Sequence, residues 1–245
     1  MSLTVKLLLS PLLVVQAVRT RARMPSLPEA EGAREGEIGR GPLLRLLIVG
    51  DSSAAGVGVA KQADALSGHL SRSLAAQCGA RVQWRLLARS GLTSAQCLQM
   101  LEADAPPAAD VAVVVLGVND VVDQVPSQRA LLARESIANR LRNAHGVAHV
   151  VFAPLPPVRR FPGLPQPLRW MAGADARRHD RALAEWAAGR EDVSHVPIDL
   201  PLNRGVMGVD GFHPGEPVYR VCGVVLAEHI AAHVWPQLRM APSRA

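Results

Sequence analysis

Aromatic side chains are scarce among the 245 residues: three Phe, four Trp and one Tyr make up 3% of the chain. Single-stranded nucleic acids are held on aromatic stacking platforms, so this composition argues against such a partner. It also leaves the core to Ala, Val and Leu. Cysteine is scarce as well. Cys78, Cys97 and Cys222 are odd in number and form no CxxC pair, so no disulfide framework or zinc site can be read from them. All three are read as buried, reduced thiols. Phosphate-loop signatures are missing. A Walker loop needs Gly, four residues, then Gly-Lys-Ser/Thr, but Gly50 and Gly56 have five residues between them and Val57 follows. Gly56-Val57-Gly58 lacks the third glycine of a dinucleotide fingerprint. No cofactor is expected. His229 and His233 lie four apart, but Ile230 stands where HExxH needs Glu. They are read as a helix-surface pair, and no metal is expected. His69, His145, His149, His179 and His195 have no companion motif.

The formal net charge is +6 and the pI is near 10.2, which suits an anionic partner. The arginines are scattered, with no dense basic helix, and no nucleic acid is expected. Apolar residues make up 49% of the chain, enough for a core of ordinary size.

Residues 1–23 form an apolar segment, "LTVKLLLSPLLVVQAV", closed by Arg19, Arg21 and Arg23. It is short for a span of about 20 residues, and Lys6 and Pro11 interrupt it. Its charge follows the apolar run, whereas a secretory signal has it before. An interfacial membrane anchor is the reading preferred over a secretory signal and over a helix packed on the body. If the segment spans, the arginines keep the body cytoplasmic. Residues 24–41 are rich in Pro, Gly and Glu and read as a linker. The folded domain is placed at 42–238 and a tail at 239–245.

Within the body, short apolar runs alternate with longer helical stretches. "LLRLLIVG", "RVQWRLLAR", "DVAVVVLG", "VAHVVFAP" and "VSHVPID" read as five strands, the first continuous enough to be covered on both faces. Helices are expected over Ala60–Gln77, Thr93–Glu102, Ser127–Ala144, Ala174–Ala188 and Glu216–Trp235. Strand–helix alternation predicts a parallel sheet between helical layers. Right-handed crossovers align the C-terminal strand ends, where ligands bind in such folds. The sharp loops Gly50-Asp51-Ser52, Ser90-Gly91 and Gly117-Val118-Asn119-Asp120 all fall at those ends.

Each loop has two readings. Ser52 suits a nucleophile at the start of a helix, where free N–H groups and the positive dipole end lie, or a plain N-cap. Gly50-Asp51-Ser52-Ser53-Ala54 lacks the last glycine of the G-x-S-x-G elbow. Asp210-Gly211-Phe212-His213-Pro214 lets a tight turn fold the carboxylate onto the imidazole and fix its tautomer, or simply starts a helix. The Asn119 side chain and the Gly91 N–H suit a developing oxyanion, or ordinary turn chemistry. Together they supply a nucleophile, oxyanion donors and a paired acid–base group at one edge. Asp123 reads as a turn residue. "PLPPVRRFPGLPQPLRW" (154–170), with Arg159, Arg160 and Arg169, reads as a pocket wall or lid.

The ordered set GDS, SG, GxND and DGFHP resembles the SGNH/GDSL hydrolase family from about Leu44 to Trp235. The resemblance implies a three-layer αβα sandwich of flavodoxin-like type with a parallel five-stranded sheet, and a metal-free acyl hydrolase. It implies Ser52 as nucleophile, His213 as general base and Asp210 as its partner. The oxyanion hole would comprise the Ser52 and Gly91 N–H groups and the Asn119 side chain, with Asp51 and Asp120 supporting. Ser53 stands where many members carry Leu. The expected substrate is a small-molecule or lipid-like carboxylic ester, and the expected partner surface is a membrane, met through the N-terminal segment. The competing functions are an acyltransferase with the same triad and a non-catalytic, membrane-tethered binding module.

Overall fold

The computed structural model describes residues 3–104, 106–200 and 202–240, with side chains from Leu9 onward. The proposed tail therefore lies outside the described residues from position 241 on. Helix α1 (Leu3–Arg23) precedes β1 (Glu35–Ile38), β2 (Leu43–Gly50), α2 (Leu66–Cys78) and β3 (Arg81–Ala88). Then come α3 (Ser94–Ala103), β4 (Val111–Val115), α4 (Val118–Val122), α5 (Ser127–His145) and β5 (His149–Phe152). The described residues end with α6 (Leu168–Ala188), β6 (Val193–His195), α7 (Glu216–His229), a π-turn (Ile230–Val234) and α8 (Trp235–Met240).

The sheet order is β1-β3-β2-β4-β5-β6. Five strands are parallel, and β1 pairs antiparallel with β3. The parallel five have the flavodoxin-like order 2-1-3-4-5, with the switch point between β2 and β4. Strands β2 and β4 are near-continuous apolar runs because both their faces are covered. Leu44, Ile48 and Val113 pack on one side with Leu70, Leu74 and Leu226 of α2 and α7. Leu47, Ala112 and Val114 pack on the other with Leu101, Ile137 and Leu183 of α3, α5 and α6. Helix α3 starts where a capping box stops the chain from extending: Thr93 Oγ1 accepts from Gln96 N, and Gln96 Oε1 accepts from Thr93 N at 3.0 Å.

The sheet has six strands, not five, and the sixth comes from the stretch read as a linker. Glu35–Ile38 pairs with Val82–Arg85 of β3. Upstream of it, the Gln62 side chain donates to the carbonyls of Ala30 (3.1 Å) and Ala55 (2.9 Å), and Ala30 is buried. Pro, Gly and Glu are common in linkers, but they also suit a short charged edge strand, which composition does not distinguish.

Two helices also differ from expectation. No helix starts at Ala60; residues 51–58 are turns and α2 begins at Leu66. Helix α6 begins six residues early, at Leu168. None of the helices among the described residues is long and apolar enough to cross a membrane. Helix α1 lies on the body instead: Leu9, Leu13, Gln16 and Thr20, at 3–4 residue spacing, are partly covered. Gln16 donates to the Gln166 carbonyl (2.7 Å) and accepts from Leu168 N (3.1 Å).

Candidate active site

Strand β2 ends where Gly50 passes the end of β4. A Cβ on Gly50 would lie 2.2 Å from the Val115 carbonyl oxygen, so only glycine fits. Asp51 N donates to that carbonyl (3.1 Å), and the chain then turns, with Ala55 N donating to Asp51 O and Val57 N to Ser52 O. At the far end of the turn, the buried Tyr219 hydroxyl of α7 donates to the Val57 carbonyl (2.7 Å). Ser52 is 9% exposed at this turn. It is not a helix cap: no helix begins there, and its hydroxyl meets the Nε2 of His213 at 3.1 Å.

His213 sits in the loop before α7. Its Nδ1 lies 2.6 Å from Asp210 Oδ2. The other Asp210 oxygen, Oδ1, accepts from the backbone N–H groups of Phe212 (2.9 Å) and His213 (3.0 Å), the tight turn expected from D-x-x-H. Burial pushes the Asp210 carboxyl up. The hydrogen bond from His213, the two N–H groups and the imidazole charge outweigh it and hold the carboxyl below its ordinary range. The three side chains form one hydrogen-bonded series, Ser52–His213–Asp210. Such a series can pass the serine proton to the imidazole while the carboxylate steadies the charged ring.

Asn119 stands in the first turn of α4, a short helix where the sequence predicts a turn. Its Nδ2 donates to the Leu92 carbonyl (3.1 Å) and to Asp51 Oδ2 (3.3 Å), which joins the three loops at the sheet edge. Among the described residues, no hydrogen bond engages the backbone N–H of Ser52 or of Gly91. Asp51 is enclosed, and burial raises its carboxyl to about 7 against the bond from Ser53 N and the nearby His213 charge. Asp120 is buried as well and accepts from Ser94 N and Ser94 Oγ.

Five contributors were not predicted from the sequence: Glu29, Arg34, Ser94, Arg134 and Tyr219. Ser90 donates twice, through N and Oγ, to Glu29 Oε1 (2.7 Å each). Arg34 binds Glu29 and the Ala88 carbonyl. The presumed linker thus buttresses the loop that carries Gly91. Ser94 and Arg134 hold Asp120, and Tyr219 holds the Ser52 turn. Only Arg134 carried a usable signal: it falls among the apolar positions Ala130, Ile137, Ala138 and Leu141 of α5, where an arginine calls for a buried partner.

A narrow apolar cavity of about 70 Å³ adjoins Ser52 and His213, lined also by Val118, Ala153, Phe161 and Met207. Pro154 and Pro156 of the Pro-rich segment line it too. That segment is tied down rather than free: Gly163 N donates to the Gly211 carbonyl (2.9 Å), and Phe161 packs edge-on against Phe212. Arg160 and Arg169 bond to the Leu200 and Phe161 carbonyls. Of the discounted histidines, His229 and His233 pack ring to ring at 5.0 Å. Among the described residues no group of three or more His, Cys, Asp or Glu could hold a metal. Burial raises the Cys78 thiol to about 11 and those of Cys97 and Cys222 to about 12.

A parallel α/β body with polar loops gathered at its switch point is the build of an enzyme with a preformed site. The chain belongs to the GDSL-like lipase/acylhydrolase family, whose sequence model matches residues 48–221. It is 30% identical over 237 residues to the GDSL-like esterase Rv1075c of Mycobacterium tuberculosis, covering 88% of this chain and 74% of that one. The lipase Lip_vut3 from a goat rumen metagenome has a similar structure, with a TM-score of 0.65 and 17% identity, covering 78% of this chain and 98% of that chain. The Clostridium thermocellum family 3 carbohydrate esterase gives a TM-score of 0.61 at 17% identity, covering 80% and 98%. The chain is an ester-bond hydrolase of three-layer αβα architecture. The non-catalytic reading is set aside by the family.

Proposed function

We propose that the protein is a serine esterase in which Ser52 attacks the acyl carbonyl, His213 takes and returns the proton, and Asp210 holds His213. The Ser52 and Gly91 N–H groups and the Asn119 amide stabilise the oxyanion, with Asp51 and Asp120 as supports. The observation that carries this is the unbroken Ser52–His213–Asp210 series at 3.1 and 2.6 Å. In the first half-reaction Ser52 Oγ bonds to the carbonyl carbon, its proton moves to Nε2, and Nε2 protonates the leaving alcohol. In the second half-reaction His213 takes a proton from water, which attacks the acyl-serine, and as the C–Oγ bond breaks Nε2 returns that proton to Ser52 Oγ and the acid is released. Asn119→Ala is expected to lower kcat about 100- to 1,000-fold with KM little changed. Wild-type kcat in that variant would remove Asn119 from the oxyanion site.

The cavity beside Ser52 sets the acyl group. A cavity of only about 70 Å³ with apolar walls suits a short acyl group such as acetyl or propionyl. The lipid-like character expected from the sequence would then belong to the alcohol side. A p-nitrophenyl ester series tests this: kcat/KM should peak at two or three carbons and fall at least about tenfold by eight, since each excess methylene has to be forced into a packed wall. A maximum at eight carbons or more would overturn it.

The membrane-surface reading rests on α1. Its outward face carries Leu12, Val14, Val15 and Val18, all exposed, and the flanking charges are Arg19, Arg21 and Arg23 with no acidic residue in the helix. An apolar stripe edged by arginines suits an anionic bilayer surface. The protein is expected to sediment with phosphatidylglycerol vesicles at low salt and to be released when the three arginines are replaced by Gln. Equal binding by that variant would overturn it.

A further inference from the structure

Among the described residues, the largest fully buried side chain is a charged one. Arg134, on α5, is 1% exposed, and so is the Asp120 carboxylate that it meets. Arg134 Nη2 donates to Asp120 Oδ2 (2.9 Å), and Arg134 Nε donates to Ser94 Oγ (3.1 Å). Ser94 returns two bonds to Asp120, from N to Oδ1 (2.9 Å) and from Oγ to Oδ2 (2.6 Å). The guanidinium also lies under the turn at the end of β4: a Cβ on Gly117 would be 2.5 Å from Nη2.

This arrangement is poorly explained by stability. Desolvating both ions costs as much as their attraction returns, and a well-packed apolar pair of the same volume would serve as well or better. It is well explained by geometry. Asp120 is the residue after Asn119. Ser94 opens α3, three residues after Gly91. One planar fork therefore ties together the two loops that carry two of the proposed oxyanion donors, and arginine alone has the rigid fork to do so. The Asn119–Leu92 bond (3.1 Å) is the second tie between the same loops. Neither Arg134 nor Ser94 is among the residues lining the cavity beside Ser52.

We propose that Arg134 is a positioning residue for ester hydrolysis: through Asp120 and Ser94 it fixes the distance between the Gly91 loop and Asn119, and so the geometry of the oxyanion site. The inference rests on the oxyanion roles proposed above for Gly91 and Asn119. Its effect is felt where charge develops on the carbonyl oxygen, so it acts on kcat and leaves ground-state binding alone.

The test is a double-mutant cycle on the full chain with p-nitrophenyl acetate, with folding followed by circular dichroism. Arg134→Met is expected to lower kcat about 10- to 100-fold with KM within about threefold of wild type, because a small misplacement of donors is costly. Arg134→Lys keeps the charge but not the fork and is expected to fall between. In an Asn119→Ala background, Arg134→Met is expected to cost less than about threefold more, since one of the two donors whose spacing it fixes is already gone. The same factor in both backgrounds would overturn the inference and leave Arg134 a structural residue, and so would wild-type kcat in folded Arg134→Met. Arg134→Met strands the buried Asp120 charge, so the pair Arg134→Met with Asp120→Asn, which removes both charges, carries the identical comparison if the single variant does not fold. Wild-type kcat in Asn119→Ala alone is a separate failure, that of the oxyanion reading itself.

Discussion

Replacing Ser52 with alanine should abolish turnover of a short acyl ester, lowering kcat by on the order of a million-fold, while the protein stays folded. The size follows from the mechanism. Without the hydroxyl there is no acyl-enzyme, and what remains is water attacking a carbonyl held by the oxyanion donors. Such remnants retain about 1,000- to 10,000-fold over the uncatalysed rate. The stability effect follows from the contacts. The Ser52 hydroxyl's partner is His213 Nε2, and the His213 side chain keeps 19% of its surface in contact with solvent, so water can take the serine's place. A cost below about 1 kcal/mol is expected. The turn itself is held by backbone bonds and by Tyr219, none of which involves the Ser52 side chain. The measurement is the initial rate on p-nitrophenyl acetate together with labelling by a fluorophosphonate, which reacts with activated serines. Wild type should label and Ser52→Ala should not. A folded Ser52→Ala protein that keeps a tenth of the activity would sink the nucleophile assignment.

The three candidate residues were legible because each is announced by its own turn. Asp210 and His213 lie three apart in one turn, and the turn bonds from Phe212 N and His213 N to Asp210 Oδ1 follow from that spacing alone. Ser52, Gly91 and Asn119 each end a parallel strand or its loop, and a parallel α/β sheet brings such ends together whatever the other residues are. The five parallel strands were legible for the same reason: their apolar runs, such as Val111–Val115, leave few alternatives.

The missed parts depend on contacts distant in sequence. Glu29 is 61 residues from Ser90, and Arg134 is 40 from Ser94. Nothing local to either residue announces its partner. Edge strand β1 is only four residues long and only half covered, so it has neither an apolar run nor a full alternation to mark it. Its identity is set by β3, which offers a free edge at Val82–Arg85. The early start of α6 at Leu168 is anchored from outside as well, by the bond from Leu168 N to the Gln16 side chain of α1.

The second large effect is expected at Asp210. Asp210→Asn should lower kcat about 10,000-fold although it changes one atom. The aspartate uses both oxygens as acceptors: Oδ1 for two backbone N–H groups and Oδ2 for His213 Nδ1. Asparagine has one acceptor and one donor. The two backbone N–H groups, fixed by the turn, claim the acceptor. That leaves the amide NH₂ facing Nδ1, which must then be the unprotonated nitrogen. The ring proton moves to Nε2 and points at Ser52, so the base is blocked and the imidazolium has lost its stabilising charge. The same substitution has a signature in stability. The Asp210 carboxyl is held below its ordinary range in the folded protein. Its contribution is therefore present above the ordinary carboxylate pKa of about 4 and lost as pH falls through the lower folded value. Asp210→Asn removes that term. Its unfolding midpoint should lie below that of wild type at pH 7, and the gap should narrow as the pH is taken below about 4. A gap that stays constant over that range would show the carboxylate charge to be idle in the folded state. A kcat within tenfold of wild type would show that Asp210 does not set the His213 tautomer.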